Sequence, residues 1–139
     1  MPSQSNTMIV FDTIKHELTQ VKFSKLDNTS DTYKVHLNNT LDAIHVDENG
    51  FILRAQRTVT FVPYGAFELL VEFEIICIFN NESKSYYNGN LDSINDFIKK
   101  RKVEIFNSLE VGNLMSIIIS QITLANNHKS IVTPPYIKA

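Results

Sequence analysis

The segment from Phe67 to Phe79 is the part of the sequence that most restricts the possible fold of this chain. Read with the period of two that a β-strand imposes, it has one unbroken apolar face. That face consists of Phe67, Leu69, Val71, Phe73, Ile75, Cys77 and Phe79. The opposite face carries three glutamates before it turns apolar at Ile76 and Ile78. We therefore predict a strand that is buried on one side throughout, with Ile76 and Ile78 in an oligomer interface with another copy of the chain.

Two further alternating segments precede this strand, and a turn signal joins them. Alternation runs through Val35 and Leu37, and it resumes at Phe51 after the sequence Asp47-Glu48-Asn49-Gly50. Asn-Gly supplies the positive φ angles of a tight hairpin, so the two segments are predicted to pair antiparallel. Pro63-Tyr64-Gly65 gives a second turn signal. The three successive strands are therefore predicted to form a meander.

Residues 11–23 admit two interpretations. Apolar side chains from Phe11 to Val21 recur at helical spacing. The same residues fit a strand if the alternation slips by one position near Thr19-Gln20, as a β-bulge produces. We favour the strand, which brings the predicted sheet to four strands.

Beyond Phe79 the periodicity becomes helical. Leu91, Ile94 and Ile98 recur at spacings of three and four, and the basic residues 99–102 fall near the end of this helix, where cations complement the macrodipole. A second helical run, Val111–Ala125, has a wider apolar arc than packing against one sheet requires. Strands grouped before helices predict an α+β fold, with a four-stranded antiparallel sheet and two C-terminal helices packed on one face.

Length and charge exclude several classes of partner. With 139 residues and 43% hydrophobic content, the chain is predicted to form a single domain over residues 1–139, of which residues 1–7 are expected to be frayed. A formal charge of −2 gives no global field that would attract nucleic acid or a membrane surface. Residues 1–7 lack the basic and apolar parts of a signal peptide, so a cytoplasmic protein is expected.

Motifs for catalysis and cofactor binding are absent from the sequence. The four glycines form neither a phosphate-binding loop nor a dinucleotide-binding fingerprint. The four histidines do not have the spacing of metal ligands, and the single cysteine, Cys77, is expected to be a buried, inert thiol. We therefore expect no catalytic residues, no metal site and no cofactor, and predict that the protein is not an enzyme.

Several short segments and the order of the elements resemble the SecB family of export chaperones. The resemblance is carried by Leu18-Thr19-Gln20-Val21-Lys22-Phe23, Val35-His36-Leu37, Leu70-Val71-Glu72 and the closing helix with Pro134-Pro135-Tyr136, within residues 8–137. It implies a dimer, or a dimer of dimers, whose apolar grooves hold unfolded polypeptides without hydrolysing ATP.

The resemblance also implies a docking surface for the SecA translocase motor, on which Leu70 and Glu72 match two positions. Gln20 and Ser24 stand where the family pattern has acidic residues, and Lys138-Ala139 closes the sequence without an acidic tail. Motor docking is therefore expected to be weak. A SecB-like chaperone that guards a member of a toxin–antitoxin pair remains an open variant.

Six apolar residues are predicted to line the client-binding groove or an interface between subunits. They are Val35, Leu37, Phe61, Met115, Ile118 and Ile122. Each of these side chains also suits an ordinary core position. Two rival classes stay open: a small α+β protein that binds an apolar ligand between sheet and helix, and a structural oligomer without a client.

Overall fold

A computed structural model describes residues 11–26, 34–62, 67–80, 90–127 and 130–138. Within these ranges four strands precede three helices. They are β1 (Phe11–Lys25), β2 (Lys34–Asp47), β3 (Gly50–Val62), β4 (Phe67–Phe79), α1 (Leu91–Lys100), α2 (Lys102–Ser108) and α3 (Val111–Asn127). The predicted α+β class and antiparallel sheet are confirmed. The expected fraying of residues 1–7 and the turn at Pro63-Tyr64-Gly65 lie outside the described residues.

The strands lie in the order β1-β4-β3-β2, and every neighbouring pair is antiparallel. Strands β2, β3 and β4 form the predicted meander, and β1 returns to lie beside β4, as in a Greek key. The register of β1 shifts between Leu18 and Gln20, which confirms the bulge predicted at this point. Without the extra residue, Val21 and Phe23 would point to the opposite face of the sheet from Leu18.

The β2–β3 hairpin turns at residues 47–50, as predicted, but of Asn49 and Gly50 only Gly50 has a positive φ, at 159°. The Oδ1 atom of Asp47 accepts hydrogen bonds from the backbone N–H groups of Asn49 and Gly50, at 2.8 and 3.1 Å. The backbone bond from Asn49 and the side-chain bond from His45 hold the pKa of Asp47 below its usual value. A Cβ atom at Gly50 would lie 1.9 Å from the carbonyl oxygen of Cys77 on β4, so the close approach of these strands requires glycine.

The core lies between one face of the sheet and the helices. Every second side chain of β4, from Phe67 to Phe79, is buried, which confirms the unbroken apolar face. Helix α3 contributes the buried side chains of Met115 and Ile119, and Ile94 and Ile98 of α1 belong to the same cluster. Burial of this apolar area stabilises the fold by roughly 25 cal/mol per Å².

The helical half differs from the prediction in one respect, because three helices occur in the described residues where two were expected. The first predicted helix ends at Lys100, and Arg101 leaves the helical conformation with φ −127° and ψ 30°. The chain then resumes as α2. No single helix in the described ranges has the length and apolar character needed to cross a membrane. Helices α2 and α3 have them only when taken together, and the chain bends by 70° between the two helices.

The C-terminal segment of residues 130–138, which we call the strap, has no regular secondary structure and packs against α2 and α3. A Cβ atom at Gly112 of α3 would lie 2.0 Å from the carbonyl oxygen of Pro135. Glycine at this position therefore allows the strap to lie directly on the helix.

Two side chains from the helices hold the edge formed by β2. The Asn95 amide of α1 accepts a hydrogen bond from the Ala43 N–H at 2.7 Å and donates one to the Ala43 carbonyl at 3.1 Å. The Lys102 ammonium group donates to the carbonyl oxygen of Asn39. Occupied in this way, the backbone groups at Asn39 and Ala43 are not available to a further strand.

Replacing Asn95 with alanine tests this edge contact. The variant loses two hydrogen bonds to partly buried backbone groups, so its free energy of unfolding should fall by about 1–3 kcal/mol, measured by urea denaturation. Asp96→Ala changes an exposed residue of the same helix and should alter that free energy by no more than about 0.5 kcal/mol. Equal stability of the two variants would mean that Asn95 does not hold the edge.

Candidate functional site

The backbone of β2 offers hydrogen-bonding groups to a further strand along its N-terminal half. In antiparallel pairing, the N–H and C=O groups of alternate residues point to opposite sides of a strand. The N–H and C=O groups of Ala43 both bond to the Asn95 side chain, which shows that they point away from β3. The register of β2 against β3 is regular from Lys34 to Ala43. At two-residue steps from Ala43, the backbone groups of Leu41, Asn39, Leu37 and Val35 therefore also point away from β3. We call such backbone groups outward-facing.

The side chains along β2 become more exposed toward its start. Leu41 and Ala43 are buried, whereas Val35 is 44% exposed and Leu37 is half-buried. The helix contacts at Asn39 and Ala43 do not extend to residues 34–38. Among the described residues, this stretch thus combines outward-facing backbone with accessible apolar side chains. We call it the open edge.

Three predicted client-binding residues meet at the open edge. Val35 pairs with Phe61 in the β2–β3 register, and Leu37 lies two residues further along the same face. The Phe61 ring packs edge-on against Phe67 with the ring centroids 4.9 Å apart, and Phe23 of β1 stacks on Phe67 at the same centroid distance. An aromatic row therefore crosses this end of the sheet. Sequence reasoning missed Phe23 as part of it, because its place depends on the register of β1.

The three predicted client-binding residues of α3 occupy different settings. Met115 is fully buried, so it is a core residue and presents no surface to a client. Ile118 and Ile122 are partly buried and pack against the core cluster. The wide apolar arc of α3 instead reaches the surface at Ile117 and Leu124, which are half-exposed. The period of a helix showed how wide the arc is, but not which part of it the sheet covers.

The predicted interface residues lie on the face of the sheet that points away from the helices. Ile76 pairs with Ile52 of β3, and Ile78 is 41% exposed at the end of the same row. These three residues form a surface that we call the outer patch. Ile52 was missed in the sequence, because its contact with Ile76 depends on the β3–β4 register. On the helix-facing side, the edge strand β1 also exposes Ile14 and Leu18.

The predicted docking residues Leu70 and Glu72 share the face of the outer patch. Each carboxylate oxygen of Glu72 accepts a 2.7 Å hydrogen bond, Oε1 from Gln56 and Oε2 from Thr19. Leu70 lies beside Lys22 of β1 in the register. The carboxylate is thus bound within the chain, and a cation flanks Leu70, so this face is less negative than three glutamates suggest.

The described residues offer no site for metal or thiol chemistry. No group of three or more His, Cys, Asp and Glu side chains in these ranges could hold a metal ion. Cys77 is buried as predicted, and burial raises its pKa to about 12. Its thiol therefore stays protonated near neutral pH and is a poor nucleophile.

Comparison with known proteins supports the fold. No family model and no curated protein matches the chain. Among solved structures, the chain is similar to the Mycobacterium tuberculosis Rv1957 SecB-like chaperone in complex with a ChAD peptide from the Rv1956 HigA1 antitoxin. The TM-score is 0.60 at 10% sequence identity, and the match covers 90% of this chain and 87% of that one. The chain therefore has the fold of a SecB-like chaperone.

Proposed function

We propose that this chain is an ATP-independent, SecB-like chaperone of the cytoplasm, a holdase that binds unfolded polypeptides at the open edge. One observation carries the proposal. Residues 34–38 present outward-facing backbone beside the exposed side chain of Val35 and the partly buried side chain of Leu37, while contacts from the helices occupy the next part of the same edge. The SecB-like fold of the chain supports the same role.

An extended client segment would add to β2 as a further strand. The N–H and C=O groups of Val35 and Leu37 would bond to the client backbone, which all polypeptides share. Apolar client side chains would pack on Val35, Leu37 and Phe61, and this term is non-directional at roughly 25 cal/mol per Å² of buried apolar area. Binding of this kind tolerates many client sequences and involves no catalytic step.

The structural likeness favours a second candidate function. The similar chaperone is bound to a peptide from an antitoxin, so the client of the present chain could be one antitoxin rather than many unfolded proteins. The two candidates differ in selectivity. A general holdase slows aggregation of unrelated model proteins, whereas a dedicated antitoxin chaperone does so for its own partner.

Docking of the SecA translocase motor at Leu70 and Glu72 is the part of a SecB-like role with the least support. The Glu72 carboxylate already accepts hydrogen bonds from Gln56 and Thr19. Charge complementarity chiefly sets encounter rate and specificity, so any contact of the motor with this face should be weak and sensitive to salt.

Aggregation of a chemically denatured protein, followed by light scattering without ATP, tests the proposed function. The unaltered chain should slow aggregation at a near-stoichiometric ratio. Val35→Pro removes an N–H group that points away from β3, so the sheet should stay intact while a client loses one hydrogen bond. The concentration needed for half-suppression should rise about fivefold.

Val35→Thr is the matched control, because it keeps the N–H group and the β-branched shape. It should suppress aggregation nearly as well as the unaltered chain. Suppression that requires ATP would contradict an ATP-independent holdase. A Val35→Pro variant that works as well as Val35→Thr would show that the open edge is not the client site.

The proposal includes assembly through the outer patch into a dimer or a dimer of dimers. Ile52, Ile76 and Ile78 form an apolar surface on the face away from the helices, and such surfaces on proteins commonly mark contacts with partners. A symmetric dimer would cover the patch on both copies at once.

Sedimentation at micromolar concentration tests the assembly. The mass should be a multiple of 15.9 kDa, and Ile78→Lys should lower it, because a buried lysine needs a partner that an apolar interface lacks. Val62→Lys places the same charge on an exposed residue at the far end of β3 and should leave the mass unchanged. A single species near 15.9 kDa for the unaltered chain contradicts the assembly.

A further inference from the structure

Arg57 of β3 is fully buried on the helix-facing side of the sheet. Among the described residues no carboxylate lies within ion-pair distance of its guanidinium group. Its Nε donates to Asn39 Oδ1 at 2.6 Å, and its Nη1 donates to Thr133 Oγ1 at 2.9 Å and to the Pro134 carbonyl at 2.7 Å. Its Nη2 has no hydrogen-bond acceptor in this part of the chain. The Cζ atom of Arg57 also lies 5.9 Å from the centroid of the Phe106 ring. The buried cation is thus compensated by neutral acceptors and an aromatic ring, without a carboxylate from these ranges, which is costly.

The strap is held as an extended peptide ligand would be. Thr123 Oγ1 of α3 accepts a hydrogen bond from the Ile131 N–H at 2.8 Å, and Ser116 Oγ donates to the Thr133 carbonyl at 2.6 Å. Asn107 of α2 accepts from the Ile137 N–H at 2.8 Å and donates to the Ile137 carbonyl at 3.0 Å. These contacts are made to backbone groups of the strap, which any polypeptide carries.

We call four of the residues that hold the strap the cradle. They are Arg57, Asn107, Ser116 and Thr123. The strap buries some side chains and exposes others, with Thr133 only 2% exposed and Val132 80% exposed, while Ile131 and Ile137 are partly buried. Only the inward positions therefore restrict the sequence of an occupant, and the position of Thr133 is the one that meets the guanidinium group.

Charge complementarity indicates which occupant the cradle would prefer. A carboxylate at the position of Thr133 could accept from both Nη1 and Nη2 of Arg57 in the forked geometry that arginine favours. It would neutralise the buried cation and satisfy the Nη2 donor that lacks an acceptor. The hydroxyl of Thr133 provides neither a charge nor a second oxygen.

We propose that the cradle is a second polypeptide-binding site, which takes an extended segment with an aspartate opposite Arg57 and has the strap as its displaceable occupant. This inference rests on the proposed function, since the ligand is again a polypeptide. The strap is tethered and competes at high effective concentration, so a segment without the carboxylate should bind more weakly. The cradle thus selects acidic segments, whereas the open edge tolerates many sequences.

Two labelled nonapeptides test the proposal by fluorescence anisotropy on the full chain. One has the sequence of the strap with aspartate in place of threonine, Ser-Ile-Val-Asp-Pro-Pro-Tyr-Ile-Lys, and the other has asparagine at that place. The aspartate peptide should bind about tenfold more tightly. A hydrogen bond to a charged group contributes more free energy than a neutral one, and the difference corresponds to about this factor in affinity. Equal affinities, or no binding of either peptide, overturn the proposal.

Two variants identify the site. Thr133→Val keeps the shape of the strap but removes an acceptor for Arg57, so both peptides should bind more tightly to this variant than to the unaltered chain. Arg57→Met removes the charge at similar length and should abolish the preference for aspartate. Retention of that preference in a folded Arg57→Met variant would place the peptide elsewhere.

Hydrogen exchange keeps the test decisive if Arg57→Met does not fold. The N–H groups of Ile131 and Ile137 are held by Thr123 and Asn107, and they should exchange faster in the unaltered chain when the aspartate peptide is present. Unchanged exchange would mean that the strap is not displaced. If the chain slows aggregation but shows no preference for aspartate, only the proposal for the cradle is overturned. If it prefers the aspartate peptide but does not slow aggregation, only the holdase proposal is overturned.

Discussion

The pairing of the Asn95 amide with the Ala43 backbone holds α1 against one edge of the sheet. Once α1 lies there, Lys102 at the start of α2 reaches the Asn39 carbonyl, and the helices occupy this part of the edge. A four-stranded open sheet has two such edges, and each is a template for another strand. The surface available to a partner is therefore set by where the helix contacts stop, which is at Asn39.

The two proposed sites would recognise extended backbone in physically different ways. At the open edge the contact would run from backbone to backbone, with Val35 and Leu37 adding apolar area that does not depend on sequence. In the cradle, fixed side chains already bind the backbone of the strap. The buried charge of Arg57 would add a preference there, because a guanidinium group discriminates between a carboxylate and a neutral oxygen.

Local periodicity predicted much of the fold, including the apolar face of β4 and the bulge near Thr19, and the Asn-Gly turn signal predicted the hairpin at residues 47–50. It could not show which side of α3 the sheet covers, and Met115, one of the residues predicted to line a groove or an interface, is fully buried in the core. It also missed Arg57, although a signal was present. Arg57 stands in phase with the apolar residues of β3, where a charge needs buried partners.

Amide hydrogen exchange, measured on the full chain with and without a chemically unfolded client, tests the central claim most directly. The outward-facing N–H groups of Val35 and Leu37 should exchange more slowly when the client is bound, because a client strand would bond to them. The Ala43 N–H should not change, since Asn95 already holds it. If the client slows exchange along β1 but leaves exchange at Val35 and Leu37 unchanged, the claim that clients bind at the open edge is contradicted.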